Sequence, residues 1–229
     1  MFQTKICGIQ NPKIAVACRD IGIDAIGLNF FAGSRRRVDP LVGKSIADAV
    51  GDSVLVVGLF VNHSLAEMSE LVQRCSIQML QLHGDEPPAL LHELAGCPVL
   101  SDLPVIRAIR ISPQSEDAAI RQIEKWSEYD RDNQLAGFLL DANQDGQYGG
   151  TGSVIDWNWL ATIGLPDIKP IVLAGGLTPE NVAEAISIVQ PAGVDVAGGV
   201  ESVIGNENRK DIGKIQLFFD QAHLSLNRN

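Results

Sequence analysis

Short runs of apolar, β-branched residues alternate with helical patterns along the chain of 229 residues. The short runs predict strands and the longer patterns predict helices. The predicted strands are Thr4–Cys7, Ala25–Phe30, Leu55–Val61, Met79–Leu82, Val105–Arg110, Gly137–Asp141, Ile171–Ala174 and Gly193–Val196. The predicted helices are Asn11–Ile21, Pro40–Val50, Ser64–Cys75, Pro87–Leu94, Ser115–Tyr129, Trp157–Ile163, Pro179–Val189 and Arg209–Leu224. Eight alternating strand–helix units indicate an α/β protein with a parallel sheet.

Eight units with right-handed crossovers favour a closed parallel (β/α)8 barrel, and a doubly wound open sheet is the alternative. The chain length is close to the roughly 250 residues typical of one such barrel. No linker or low-complexity tract interrupts the chain, so we expect a single domain spanning residues 1–229. In a closed barrel the last strand lies beside the first, which places Cys7 and Asp141 at the same mouth, where barrel active sites lie.

Two late strands each end in a pair of glycines. Gly175-Gly176 follows the seventh predicted strand and precedes Thr178, a predicted helix N-cap, while Gly198-Gly199 follows the eighth. Glycines allow the backbone to approach a ligand closely, and a helix N-terminus favours an anion. Loops after strands 7 and 8 often form a phosphate site in barrels of this type. Two tight turns without a ligand are the other interpretation.

Composition narrows the possible partners. The chain is 45% hydrophobic and 20% charged, and its net charge is −10, which disfavours nucleic acid as a partner. The four cysteines show neither a CxxC pair nor a cluster with histidine, so we expect no metal site and no disulfide framework. Neither a signal peptide nor an 18-residue apolar run is visible. These features predict a cytoplasmic protein that does not bind membranes.

Cys7 and Asp141 are the two candidates for acid–base chemistry. Cys7 ends the first strand, and the thiol would become a useful base if positive charge lowered its pKa; Lys5 is predicted to lie on the same side of the strand. Asp141 ends the sixth strand and would act as a general acid if its surroundings favoured the protonated form. A buried structural cysteine and an aspartate that caps a turn are the alternatives.

Three further motifs lie in predicted loops or at strand ends. Arg36 is the middle residue of three consecutive arginines after the second strand, and one guanidinium there could bind a carboxylate, although such runs are often solvated. His83 lies at the end of the fourth strand, where it is either a catalytic residue or a structural residue of the barrel. The segment 149–152 (GGTG) is either a ligand-wrapping loop or a flexible lid.

These motifs, taken in order, resemble the phosphoribosylanthranilate isomerase family, a family of TIM barrels, and the resemblance runs from Lys5 to about Glu201. The motifs that carry it are KICGI, SRRRV, VGLFVN, LQLHGDE, LLD with GGTG and DW, LAGGLTPENV and GVDVAGGVE. Any one of these motifs is weak evidence, but their combination is specific.

The resemblance implies an Amadori rearrangement of N-(5-phosphoribosyl)anthranilate in tryptophan biosynthesis, with no metal or cofactor. It implies that Asp141 is the general acid, that Cys7 is the general base, and that Arg36 holds the anthranilate carboxylate. The remaining substrate-binding residues would be His83, for which no specific role is implied, and Gly175, Gly176, Gly198 and Gly199. The expected partner is this small phosphosugar, and the sequence leaves the oligomeric state open, with a monomer the simpler expectation.

The chain departs from the family pattern at a few positions. Asn29 stands where an apolar residue is more usual, Ala197 and Gly198 replace serines, and Arg37 replaces an aromatic residue. We expect at most weaker substrate binding from the lost hydroxyls. Two alternative functions stay open. One is another barrel enzyme that acts on a phosphosugar, and the other is a catalytically silent barrel that senses a phosphorylated metabolite.

Overall fold

The computed structural model describes residues 1–142, 155–204 and 207–226 of the chain. Within them, eight parallel strands form a closed barrel in which each strand pairs with the next and β8 pairs with β1. This closed order confirms the predicted barrel, and the open sheet is wrong. The strands are β1 (Thr4–Cys7), β2 (Ala25–Asn29), β3 (Leu55–Phe60), β4 (Met79–Leu82), β5 (Val105–Ile111), β6 (Leu135–Ala142), β7 (Ile171–Leu173) and β8 (Gly193–Val196).

Helices follow the barrel strands, and several begin where the sequence places a capping residue. The side chain of Asn11 accepts a hydrogen bond from the Lys13 N–H, and Ser64 forms a capping box with Glu67. Both caps provide acceptors for N–H groups of the first turn, which have no partner within the helix. The side chain of Asp156 likewise accepts a hydrogen bond from the Trp159 N–H at the start of its helix. The helices are α1 (Pro12–Ile21), α2 (Pro40–Val50), α3 (Leu65–Cys75), α4 (Leu90–Ala95), α5 (Glu116–Tyr129), α6 (Trp157–Thr162), α7 (Val182–Val189) and α8 (Ile212–Leu226).

Two apolar layers stabilise the barrel. Side chains that point outward from the strands pack against the helices, with Trp126, Phe138 and Phe218 fully or almost fully buried there. Side chains that point inward at the amino-terminal end of the barrel form a separate apolar cluster, which includes Val57 and Met79. Successive side chains alternate between the two faces of a strand, so polar residues further along the same strands point toward the mouth.

The segment after β8 differs most from the sequence-based prediction. We predicted a helix from Arg209, but Glu201–Ile204 and Glu207–Lys210 form an antiparallel pair, β9 and β10, and α8 begins at Ile212. Asp211 sets this start, because its Oδ1 accepts a hydrogen bond from the Lys214 N–H at 3.1 Å. A polar hairpin of this kind has no apolar alternation to indicate it.

Two other helices begin later than predicted. α7 starts at Val182 rather than Pro179, because the Asn181 side chain donates to the Gly176 carbonyl at 3.0 Å and accepts from the Thr178 N–H at 2.7 Å. Thr178 still accepts a hydrogen bond from the Glu180 N–H, as a capping residue does. α4 starts at Leu90 rather than Pro87. Other ends differ by one or two residues.

The 149–152 segment lies outside the described residues. No helix in the described part of the chain is long and apolar enough to cross a lipid bilayer.

Candidate active site

A cavity of about 470 Å³ opens where the carboxyl ends of the barrel strands meet. The strand order places β1 and β6 on the two sides of the adjacent pair β7 and β8, so Cys7 and Asp141 flank the two glycine loops. The structure brings together all eight predicted site residues in the wall of this cavity: Cys7, Arg36, His83, Asp141, Gly175, Gly176, Gly198 and Gly199. Their chemical roles stay predictions.

The two glycine loops contact one another. Gly175 and Gly176 have φ values of +80° and +69°, a left-handed conformation that glycine adopts without strain. A Cβ atom at Gly199 would lie 1.9 Å from the Leu177 carbonyl oxygen, so a side chain there collides with the first loop. Among the described residues, no backbone carbonyl accepts from the N–H groups of Gly175, Gly176 or Gly198. Unpartnered N–H groups in a cavity wall are suited to bind an anion.

Cys7 ends β1 and is 6% exposed, in a small apolar cluster with Leu59 and Val61. Burial raises the pKa of the Cys7 thiol above its ordinary value of 9.0, although the positive charges of Lys5, Lys210 and Arg36 oppose this effect. The condition set for Cys7 as a useful base, a pKa lowered by nearby cations, is therefore not met in the net direction of the shift. The cations are present, but burial outweighs them.

Lys5 is fully buried inside the barrel, two residues before Cys7 and on the same face of β1. Its Nζ lies 2.9 Å from Oδ1 of Asp195 on β8, the strand paired with β1. Burial alone would lower the Lys5 pKa, but the charges of Asp195 and Cys7 raise it, so the residue is a cation at neutral pH. A permanent cation beneath the thiol favours its deprotonated form.

Asp141 is the second-last residue of β6 and is 8% exposed. Its Oδ2 lies 3.4 Å from Nε2 of His83, and its Oδ1 lies 2.8 Å from the position of a Cβ atom at Gly175. The carboxyl group therefore lies between His83, at the end of β4, and the first glycine loop. The turn that Asp141 would cap in the alternative interpretation begins at residue 143, outside the described residues, so that alternative stays open.

Arg36 is 8% exposed, which distinguishes it from a solvated arginine, whereas the side chain of its neighbour Arg35 is 56% exposed. Glu201 accepts from Arg36 Nε at 2.6 Å and from Nη2 at 3.0 Å. Nη1 makes no hydrogen bond to the described residues, so it remains for a ligand at the mouth.

Asn29 and Ser34 shape the loop that carries Arg36. Asn29 Nδ2 donates to Ser34 Oγ at 3.1 Å, and this hydroxyl accepts from the Arg36 N–H at 3.1 Å. Asn29 Oδ1 also accepts from the Phe31 N–H. The unusual asparagine in β2 therefore has a structural explanation, because it fixes the turn that directs Arg36 over the cavity.

Several residues of the site were not predicted from the sequence. Gln81 lies in the cavity wall beneath His83, Asp195 lies beneath Cys7, and Glu201 binds Arg36 together with Lys210, whose Nζ lies 3.1 Å from Glu201 Oε1. Gln81 and Asp195 share one signal, since each is a polar residue inside an otherwise apolar strand. Such a residue points either to a buried partner or to a ligand.

Comparison with known proteins agrees with this geometry. The family model described as N-(5'phosphoribosyl)anthranilate (PRA) isomerase matches residues 4–221. The chain belongs to this family. An N-(5'-phosphoribosyl)anthranilate isomerase of Neisseria meningitidis serogroup C is 40% identical over 222 residues, covering 97% of each chain. One from Magnetococcus marinus is 41% identical over 217 residues, covering 93% of this chain and 91% of the relative.

Solved structures show the same relationship. The chain is similar to phosphoribosyl anthranilate isomerase from Thermotoga maritima, with a TM-score of 0.79, 30% identity and coverage of 97% of this chain and 99% of that one. A second structure is described as this isomerase in complex with reduced 1-(o-carboxyphenylamino)-1-deoxyribulose 5-phosphate, and its TM-score is 0.75. These findings confirm the predicted family and the prediction that the chain is an isomerase.

Proposed function

We propose that this protein converts N-(5-phosphoribosyl)anthranilate into 1-(2-carboxyphenylamino)-1-deoxyribulose 5-phosphate, an Amadori rearrangement in tryptophan biosynthesis. One observation carries the proposal: Cys7 and Asp141 flank two glycine loops in a single cavity whose rim carries Arg36. An acid, a base, an anion cradle and a carboxylate-binding cation are what this substrate needs. The solved relative described with a bound carboxyphenylamino sugar phosphate supports the same class of ligand.

In the proposed complex, the phosphate binds at the glycine loops and the anthranilate carboxylate binds Arg36. The N–H groups of Gly175, Gly176 and Gly198 would donate to the phosphate oxygens. The guanidinium of Arg36, already fixed by Glu201, would donate through Nη1 to the carboxylate. Binding at both ends of the substrate holds the ribose between the two flanking catalytic groups.

The first chemical step opens the ribose ring. Asp141 in its acid form donates its proton to the ring oxygen, and the bond between C1 and that oxygen breaks. The nitrogen lone pair of the anthranilate forms the new C1–N double bond, giving a protonated Schiff base. Asp141 is left as a carboxylate, and His83 lies next to it.

The second step moves a proton from C2. The Cys7 thiolate takes this proton, and the electrons of the C–H bond form a C1–C2 double bond while the Schiff base nitrogen becomes an amine. The resulting enolamine gains a proton at C1 and loses one from the C2 hydroxyl, which gives the ketone. The Lys5 ammonium beneath the thiol favours the thiolate that this step requires.

The proposal is tested by mixing the protein with phosphoribosylanthranilate and following the loss of substrate fluorescence. We expect Cys7→Ser and Asp141→Asn each to lower kcat by at least ~10²-fold, the lower range for removing a general acid or base. Cys97→Ser and Asp102→Asn, which lie outside the cavity, are the matched controls. Near-wild-type turnover in either cavity variant would remove that residue from its role, and binding without turnover by the wild-type chain would favour a sensor.

A monomer remains the prediction for this chain. One of the solved relatives is described as monomers of a dimeric isomerase, so both states are described among the relatives. Light scattering coupled to gel filtration would determine it.

A further inference from the structure

Beneath His83, on the same face of β4, lies the fully buried side chain of Gln81. Its Nε2 is 3.1 Å from Nδ1 of His83. In this orientation of the amide its nitrogen donates, so Nδ1 is the acceptor and carries no proton. A neutral imidazole has one ring proton, which then lies on Nε2.

The His83 Nε2 faces the Asp141 carboxyl, with Oδ2 3.4 Å away. It is buried, and no described residue forms a well-aligned hydrogen bond with it. Oδ2 of Asp141 lies within reach of Nε2, but a small rotation of the carboxyl group or the imidazole is needed to align the two for a hydrogen bond. The other oxygen, Oδ1, lies beside Gly175 in the first glycine loop.

We propose that Gln81 is a positioning residue, which holds His83 in its neutral Nε2–H form so that His83 orients the carboxyl group of Asp141. This proposal rests on the proposed role of Asp141 as the general acid. In the substrate complex the Nε2–H of His83 would donate to Oδ2, which leaves Oδ1 to carry the proton toward the substrate. Gln81 acts only through His83 and takes no part in the proton transfer itself.

Charge explains why the neutral form of His83 matters. A histidine cation next to Asp141 would favour the carboxylate, and a carboxylate has no proton to donate. Protonation of His83 at Nδ1 would bring an N–H group against the Gln81 amide N–H groups at 3.1 Å, so the amide opposes it. The neutral imidazole therefore adds no positive charge beside the Asp141 carboxyl group.

The surroundings of Gln81 indicate that it is not there for stability. Its strand neighbours are Leu59 on β3 and Ile106 on β5, and its Oε1 is buried without a hydrogen-bond partner among the described residues. A buried polar atom without a partner destabilises a fold, and an apolar residue of similar size would avoid that cost. The hydrogen bond from Gln81 Nε2 to His83 Nδ1 explains why an amide side chain occupies this position.

Two substitutions and one spectroscopic measurement test the proposal. Gln81→Met keeps the volume and removes the donor, and we expect kcat to fall at least ~10-fold with KM within ~2-fold, because substrate contacts are unchanged. Gln81→Glu places an acceptor against Nδ1, which favours the histidine cation, and we expect a larger fall of ~10²-fold. Gln78→Met, directly before the start of β4 and away from the cavity, is the control and should leave kcat unchanged.

The ring proton of His83 is read directly by nitrogen-15 NMR of the imidazole, assigned with a His83→Asn variant. We expect the Nε2–H form in the wild-type protein, and loss of that uniform signature in Gln81→Met. An Nδ1–H form in the wild-type protein would overturn the proposal, as would unchanged kcat and tautomer in Gln81→Met. Failure of the proposed function looks different, because Asp141→Asn would then retain activity whatever the His83 tautomer.

Discussion

Glu201 binds the Arg36 guanidinium through both carboxylate oxygens, with Oε1 2.6 Å from Nε and Oε2 3.0 Å from Nη2. Glu201 directly follows the second glycine loop, and its Oε1 also binds Lys210 Nζ at 3.1 Å. The pair therefore ties the loop after β2 to the loop after β8. Because a guanidinium is planar, two bonds to one carboxylate fix its orientation.

We expect Glu201→Gln to raise KM about 10-fold and to leave kcat nearly unchanged. The amide has one acceptor oxygen in place of two, so the paired bonds to Nε and Nη2 through separate oxygens are lost and the Arg36 guanidinium loses its fixed orientation. The contact with the substrate carboxylate is made equally in the ground and transition states, which places the loss in KM. Steady-state fluorescence kinetics measure it, with the exposed Glu184→Gln as the control. A fall in kcat at constant KM would contradict this role.

The same residue should contribute to the pH dependence of stability. Burial alone would raise the Glu201 pKa, but the hydrogen bond from Arg36 and the charge of Lys210 lower it below the ordinary value of 4.5. A carboxyl with a lowered pKa in the folded state contributes stability above 4.5, and this contribution is lost as the pH falls through the folded pKa. Urea unfolding of Glu201→Gln should therefore show a smaller loss of stability on acidification below pH 4.5 than the wild-type protein. Parallel curves for the two proteins would contradict the assignment.

The strands were predictable from the sequence because each is a short apolar run buried on both faces. The bounds of β1, β4 and β8 agree with the prediction, and so does the clustering of Cys7 and Asp141, since all carboxyl ends of a parallel barrel meet at one mouth. β9 and β10 were missed because their pairing depends on polar contacts and not on an apolar pattern.

The partners of the site residues were not predictable in the same way. Lys5 and Asp195 are separated by 190 positions, and Arg36 and Glu201 by 165. Only the closure of the barrel, which pairs β8 with β1, brings such residues together. Gln81 differs, since it lies two positions before His83 on one strand, and the two-residue period places both side chains on the same face.

Removing the buried cation should slow the chemistry of the thiol and destabilise the fold. In Lys5→Met, Asp195 loses its partner in the barrel interior, and we expect a loss of ~3–5 kcal/mol in the free energy of unfolding. The Cys7 pKa should rise further, because Lys5 is the largest influence opposing burial, so alkylation of Cys7 by iodoacetamide at pH 8 should slow. The rate is compared with that of Cys97 in the same sample.

The double variant Lys5→Met/Asp195→Asn separates the two effects. It removes the uncompensated charge, so most of the lost stability should return. Alkylation of Cys7 should remain slower than in the wild-type protein if Lys5 itself favours the thiolate. Full recovery of both stability and alkylation would show that Lys5 acts only as the partner of Asp195.

Gly198 and Gly199 offer a matched test of the phosphate cradle. A Cβ atom at Gly199 would lie 1.9 Å from the Leu177 carbonyl oxygen, so Gly199→Ala must push the two loops apart. At Gly198 the nearest atom is Arg36 Nη2 at 3.3 Å, a contact that a movement of a few tenths of an ångström relieves without breaking the pair with Glu201. We expect Gly199→Ala to raise KM and the inhibition constant of inorganic phosphate by at least ~10-fold, since a displacement of about 1 Å misplaces the N–H donors. Gly198→Ala should change both by less than ~3-fold, in line with the small cost of a side-chain adjustment. Equal effects in the two variants would mean that contact between the loops does not shape the anion site.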